Sequence, residues 1–178
     1  MLAEIALEAV RQLRLVGLDR TLVEVDRAQK GPPRSLAATV SAFSNGDGGL
    51  ILLGVDSSRG FVAVPTDAPA LLASLTEVCR KKVVPAVLVE AETVPLEGTL
   101  IVAAAIPPGD RKKRPYYIRS RRRWGASYRR TPKGNRRITE DERFEILSEN
   151  AKEPTQETAP STASRVVAEM LFRVLSGT

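Results

Sequence analysis

Leu2, Ile5, Ala6, Ala9, Val10 and Leu13 recur at the spacing of one helical face, which predicts an amphipathic helix from residue 2 to about 15, stopped near Gly17. TLVEV, residues 21–25, has the composition of a short strand. After the turn-rich QKGPPR, Ser35 is placed to cap a helix whose apolar face is Leu36, Val40 and Phe43, ended at Asn45-Gly46. LILLGVD is an almost unbroken apolar run, as expected of a strand covered on both faces, and SSRG turns it back into FVAVP as a central hairpin. Residues 68–83 have helical periodicity. VLVEAETV and TLIVAAAIP form two strands around Leu96-Glu97-Gly98, and YYIRS starts another. Thr139 followed three residues later by Glu142 is a capping-box signature for one more helix.

These elements predict an α/β (α+β) fold, a mixed sheet of about six strands with helices packed against it. Four segments follow: an N-terminal helix at 1–17, the main domain at 18–150, a linker at 151–164 and a C-terminal helix at 165–178. The linker, AKEPTQETAPSTAS, is poor in apolar side chains and reads as flexible. Beyond it, Val166, Val167, Met170, Leu171, Val174 and Leu175 form one stripe, which must dock on the domain, make a homodimer or meet a protein partner.

Composition narrows the chemistry. The chain of 178 residues has no histidine and one cysteine, Cys79, so Ser-His-Asp and Cys-His nucleophile systems are excluded and a zinc site has almost no ligands to draw on. Cys79 reads as a structural thiol on a helix face. No stretch approaches the roughly 20 apolar residues of a membrane span, and no signal-peptide core is present, so the expectation is a cytoplasmic protein without membrane contact.

Charge is distributed unevenly. The chain carries 27 basic and 21 acidic residues, and thirteen of the basic ones lie between Arg111 and Arg137, where there is no acid. The rest of the chain is therefore net negative. Ten of the thirteen are arginines, suited to bidentate phosphate contact, and Tyr116, Tyr117, Trp124 and Tyr128 lie among them. A solvated charged loop is the simplest account of such a run, but the lack of acids, the arginine bias and the interleaved aromatics favour polyanion binding. The candidate nucleic-acid contacts are Arg119, Arg121, Arg122, Arg123, Arg129, Arg130, Lys133, Arg136 and Arg137, with Trp124 as a base-stacking candidate in a loop. Tyr117 and Tyr128 fit the core equally well.

The run Asn45-Gly46-Asp47-Gly48-Gly49 is not a P-loop, because it precedes a strand and has no Gly-Lys-Ser/Thr. Its glycines suit left-handed turns and close backbone packing.

SAFSNGDGGLILLGVD, preceded by VEVDRA, and YYIRSRRRWGASYRRTPKGNRRITEDE together resemble the Schlafen AlbA_2 domain, a nucleic-acid-binding module of bacterial regulators. The resemblance runs from about Leu18 to Leu147 and implies binding of DNA or RNA, with some multidomain relatives described as ATP-binding. Relatives with ribonuclease activity use three acids, whose places here are Asp19, Glu24 and Asp56. The resemblance thus implies, as an alternative, an endoribonuclease in which these carboxylates hold Mg²⁺ or Mn²⁺ against a phosphate. Asp19 stands where the family has Glu, and Asp26 where a basic residue is usual. Read from the residues alone, Asp19 flanks a strand, Glu24 faces solvent and Asp56 opens a turn. A third alternative is a protein-interaction or dimerisation module.

Overall fold

The computed structural model describes residues 1–15, 21–119 and 126–152, together with Ala163, Arg165, Ala168, Glu169 and Phe172. Asp19, Arg121, Arg122, Arg123, Trp124, the stop at Gly17, nearly all of the linker and the whole terminal stripe of Val166, Val167, Met170, Leu171, Val174 and Leu175 lie outside the described residues.

Helix α1 spans Leu2–Leu15 and buries Leu2, Ala6, Ala9, Val10 and Leu13, the face that the spacing predicts. Strand β1 (Val23–Asp26) is joined through helix α2 (Leu36–Asn45) to strand β2 (Gly49–Leu53), and the two strands run parallel. All five residues of β2 are buried. At Gly54 the chain takes φ +97 and leaves the sheet, so that β3 (Val55–Asp56) pairs with β4 (Val62–Ala63) in a separate short ribbon around a 3-10 turn at Ser57–Arg59. Helix α3 (Ala68–Glu77) is capped by Asp67, whose carboxylate accepts from the Ala70 N–H, and it continues into a π-helical turn at Val78–Lys82.

Strand β5 (Val83–Val84) follows, then the hairpin of β6 (Glu90–Leu96) and β7 (Thr99–Ile106), turned at Glu97 and Gly98 with positive φ at both. The main sheet has the order β1-β2-β7-β6, with every pairing after the first antiparallel. The later strands are short. Strand β8 (Tyr117–Ile118) pairs with β5, and β9 (Tyr128–Thr131) pairs with β10 (Gly134–Arg137), before helix α4 at Glu140–Lys152. Among the described residues the continuous sheet therefore holds four strands, not the expected six or so, with the remaining strands in two-stranded ribbons.

Alternation along β2 and β7 divides the core in two. Leu50, Leu52, Ala103 and Ala105 meet α1, whereas Ile51, Leu53, Val102, Ala104 and Ile106 meet α2, α3 and the π-helical turn. Ala163, which is helical and buried, joins the α1 side. This explains why β2 has no polar face: both of its sides are covered.

Two capping expectations have different outcomes. Thr139 and Glu142 form the reciprocal capping box of α4, with the Glu142 N–H donating to Thr139 Oγ1 and the Thr139 N–H to Glu142 Oε2. Ser35 makes no side-chain cap bond, because its backbone is already helical at φ −77, ψ −7, whereas a capping residue needs extended geometry. At the other end of α2 the glycines act as their spacing suggests. Gly48 has φ +87, and a Cβ there would lie 2.6 Å from the Ile106 carbonyl oxygen. No helix among the described residues is long and apolar enough to cross a membrane.

Candidate nucleic-acid interface

The basic segment is held on α2 by polar side chains that an apolar helix face would not normally contain. Ser41 and Asn45, four residues apart and buried, face the same way. Asn45 Nδ2 donates to the carbonyls of Tyr116 (2.8 Å) and Tyr128 (3.0 Å), and its Oδ1 accepts from the Tyr116 N–H at 2.7 Å. Ser41 Oγ donates to the Tyr116 carbonyl at 2.8 Å and accepts from the Tyr128 N–H at 3.1 Å. The two side chains thus join the backbones at 116 and 128, on either side of the arginine run. Asn135 Nδ2 adds a bond to Thr39 Oγ1 on the same helix, at 2.8 Å.

A second anchor lies at the start of the segment. Arg114 donates to the carbonyls of Gly46 (2.6 Å) and Gly109 (3.2 Å), which ties the segment to the glycine loop after α2. Burial lowers the pKa of its guanidinium, and burial likewise raises that of the Tyr116 hydroxyl. Tyr116 is core rather than surface.

Pleating divides the arginines of the β9–β10 hairpin. Arg130 points inward: its side chain is 8% exposed, it pairs with Glu24 on β1, it donates to Asn135 Oδ1 at 2.9 Å, and its guanidinium carbon lies 5.2 Å from the centre of the Phe43 ring. Arg129 and Arg136 are cross-strand neighbours pointing outward, both half-exposed. Lys133 at the hairpin tip, Arg137 on β10 and Arg119 after β8 are exposed and have no ion pair among the described residues.

The acids are engaged separately. Glu24 is opposite Ile51 in the β1–β2 register, which puts it on the α2 side of the sheet, where its carboxylate meets Arg130. Buried Asp56 accepts from the Ser58 N–H (2.9 Å) and Ser58 Oγ (2.6 Å), with Arg27 at 3.9 Å. The Ser58 hydroxyl, ahead of the other contacts, lowers its pKa below the usual aspartate range. Asp56 therefore opens the 3-10 turn, and Glu24 does not face solvent but serves as the counter-ion of Arg130. No group of three or more His, Cys, Asp or Glu among the described residues is placed to hold a metal ion. Glu24 is engaged by Arg130 and Asp56 by Ser58, and Asp19, the third acid of the expected set, lies outside the described residues.

Sequence reasoning missed Ser41, Asn45 and Arg114. The available signal was four polar side chains, Thr39, Ser41, Ser44 and Asn45, in a helix that must be buried between sheet and hairpin.

A family model described as Schlafen, AlbA_2 matches residues 20–139. No curated protein matches the sequence. Among solved structures, the N-terminal domain of a RecG-related protein from Nitrosomonas europaea is 26% identical, with a TM-score of 0.55 over 70% of this chain and 86% of that one. The DIP2311 protein from Corynebacterium diphtheriae, 16% identical, has the same fold with a TM-score of 0.53, and the match covers 80% of this chain but 28% of that protein.

Proposed function

The chain belongs to the Schlafen AlbA_2 family, and from that premise we propose that its basic segment is a sequence-tolerant nucleic-acid-binding surface. The observation that carries the reading is the mooring of this segment. Ser41, Asn45 and Arg114 hold its backbone to α2 and the glycine loop through buried and part-buried hydrogen bonds, so cations that would repel one another in a free loop are carried on two short ribbons anchored to the same helix. Exposed Arg119, Lys133 and Arg137 reach phosphates without first breaking an ion pair to any described residue. Arg130 acts differently: inward and paired with Glu24, it positions the hairpin.

Binding of this kind releases counterions, at about 0.7 per phosphate on single strands and 0.9 on duplex. Contacts from Arg119, Lys133 and Arg137 alone give a log-log salt slope of about −2 on single-stranded oligonucleotides. Fluorescence anisotropy with labelled single strands and duplexes of mixed sequence measures that slope directly. Affinity unchanged between low and high salt would refute the proposal.

A further inference from the structure

Arg129 and Arg136 are register partners on the outer face of the β9–β10 hairpin. Like charges directly opposite in an antiparallel ribbon are unfavourable, so an anion beside the pair is stabilised there. Glu142 supplies one. Its Oε1 lies 2.6 Å from Arg136 Nη2 and 3.6 Å from Arg129 Nη1, and its Oε2 accepts from Arg136 Nη1 at 2.9 Å and from the Thr139 N–H at 2.9 Å. A carboxylate gripped end-on by both terminal nitrogens of one guanidinium, with a second guanidinium and a backbone N–H near it, has the contact pattern that a phosphate diester takes from the same groups. The arginine side chains are 48% and 46% exposed, so the position is open to a ligand from solution.

We propose that the Arg129–Arg136 pair is a phosphate subsite of the nucleic-acid surface, filled in the free protein by the Glu142 carboxylate, so that the first turn of α4 competes with nucleic acid. The inference rests on the function proposed above and adds a regulated position to it. Binding there would require the Glu142 side chain to swing away, while the Glu142 N–H to Thr139 Oγ1 bond, which depends on the backbone, could persist. The acidic residues Glu140 and Asp141 beside it add to the repulsion that an approaching strand meets.

Glu142→Gln separates the two roles of this residue, because glutamine also completes a capping box but carries no charge. The assay is anisotropy of a labelled single-stranded oligothymidylate against wild type, E142Q, R129A/R136A and the triple variant, each across a salt series. One or two released guanidinium groups steepen the single-strand slope by about 0.7 to 1.4, which near 0.1 M salt is roughly 5-fold to 25-fold tighter binding for E142Q. In the R129A/R136A background the same Glu142 change leaves affinity within about twofold if the gain passes through these arginines. Equal slopes and affinities for wild type and E142Q, with salt-sensitive binding in both, would overturn the subsite and leave the general surface standing. Salt-insensitive or absent binding in wild type and E142Q alike would overturn both.

Discussion

Replacing Asn45 by alanine removes a side chain that, like Ser41, bonds to both backbone stretches flanking the arginine run, and that also accepts from the Tyr116 N–H. The Tyr116 carbonyl keeps Ser41 Oγ at 2.8 Å, so two groups lose their partner: the Tyr116 N–H and the Tyr128 carbonyl. A buried polar group left unsatisfied costs about 1 to 3 kcal/mol. Tyr116 is buried and pays the full cost, whereas Tyr128 is only half-buried and water can partly replace its donor. The sum is about 2 to 4 kcal/mol, which at an m-value of about 2 kcal/mol/M lowers the urea midpoint by roughly 1 to 2 M. Far-UV circular dichroism during urea unfolding measures the shift, and hydrogen exchange at the Tyr116 amide tests its local origin. Asn45→Asp is expected to be at least as damaging, since it keeps the acceptor for the Tyr116 N–H but turns a carboxylate towards two carbonyls. If Asn45→Ala stayed within about 0.5 kcal/mol of wild type at an unchanged m-value, the mooring argument would be wrong.

Three further outcomes are expected. Arg130→Ala leaves Glu24 facing the α2 side of the sheet without its counter-ion and should cost about 2 to 4 kcal/mol in the same unfolding assay, with Arg130→Lys recovering less than half because lysine lacks the planar fork. Glu142 has its carboxyl lowered from 4.5 to about 2, chiefly by the Arg136 hydrogen bond and then by the Thr139 N–H. Because the folded value is the lower one, the contribution is complete above pH 4.5 and is lost as pH falls towards 2, so E142Q should flatten the acid limb of the stability profile in that window; an identical limb in both proteins would contradict the assignment. Burial raises the pKa of the Cys79 thiol to about 12, so a thiol-specific disulfide reagent should react with it in denaturant but not in the native state at neutral pH.

Much of the local structure was legible in the residues. The face of α1, the doubly covered β2, the Glu97-Gly98 turn and the capping box of α4 each leave a pattern of residue types within a few positions along the chain, so spacing was enough to identify them. Ser35 shows the limit even there, because its side-chain chemistry suits a cap but its helical backbone does not.

Residue pattern was enough to show helices packed against an aliphatic sheet and one segment holding the excess positive charge. Which of those charges face solvent depends on long-range packing. Arg129 and Arg130 are adjacent and chemically identical, yet one points outward to Glu142 and the other inward to Glu24, 106 positions earlier. The pleat sends neighbouring side chains to opposite sides, and which side is the interior depends on where α2 and β1 lie, which no local pattern states. The same holds for the acids. Spacing placed Glu24 and Asp56 at strand ends, but which donors they meet, Arg130 for one and Ser58 for the other, is set by how the fold brings those groups together.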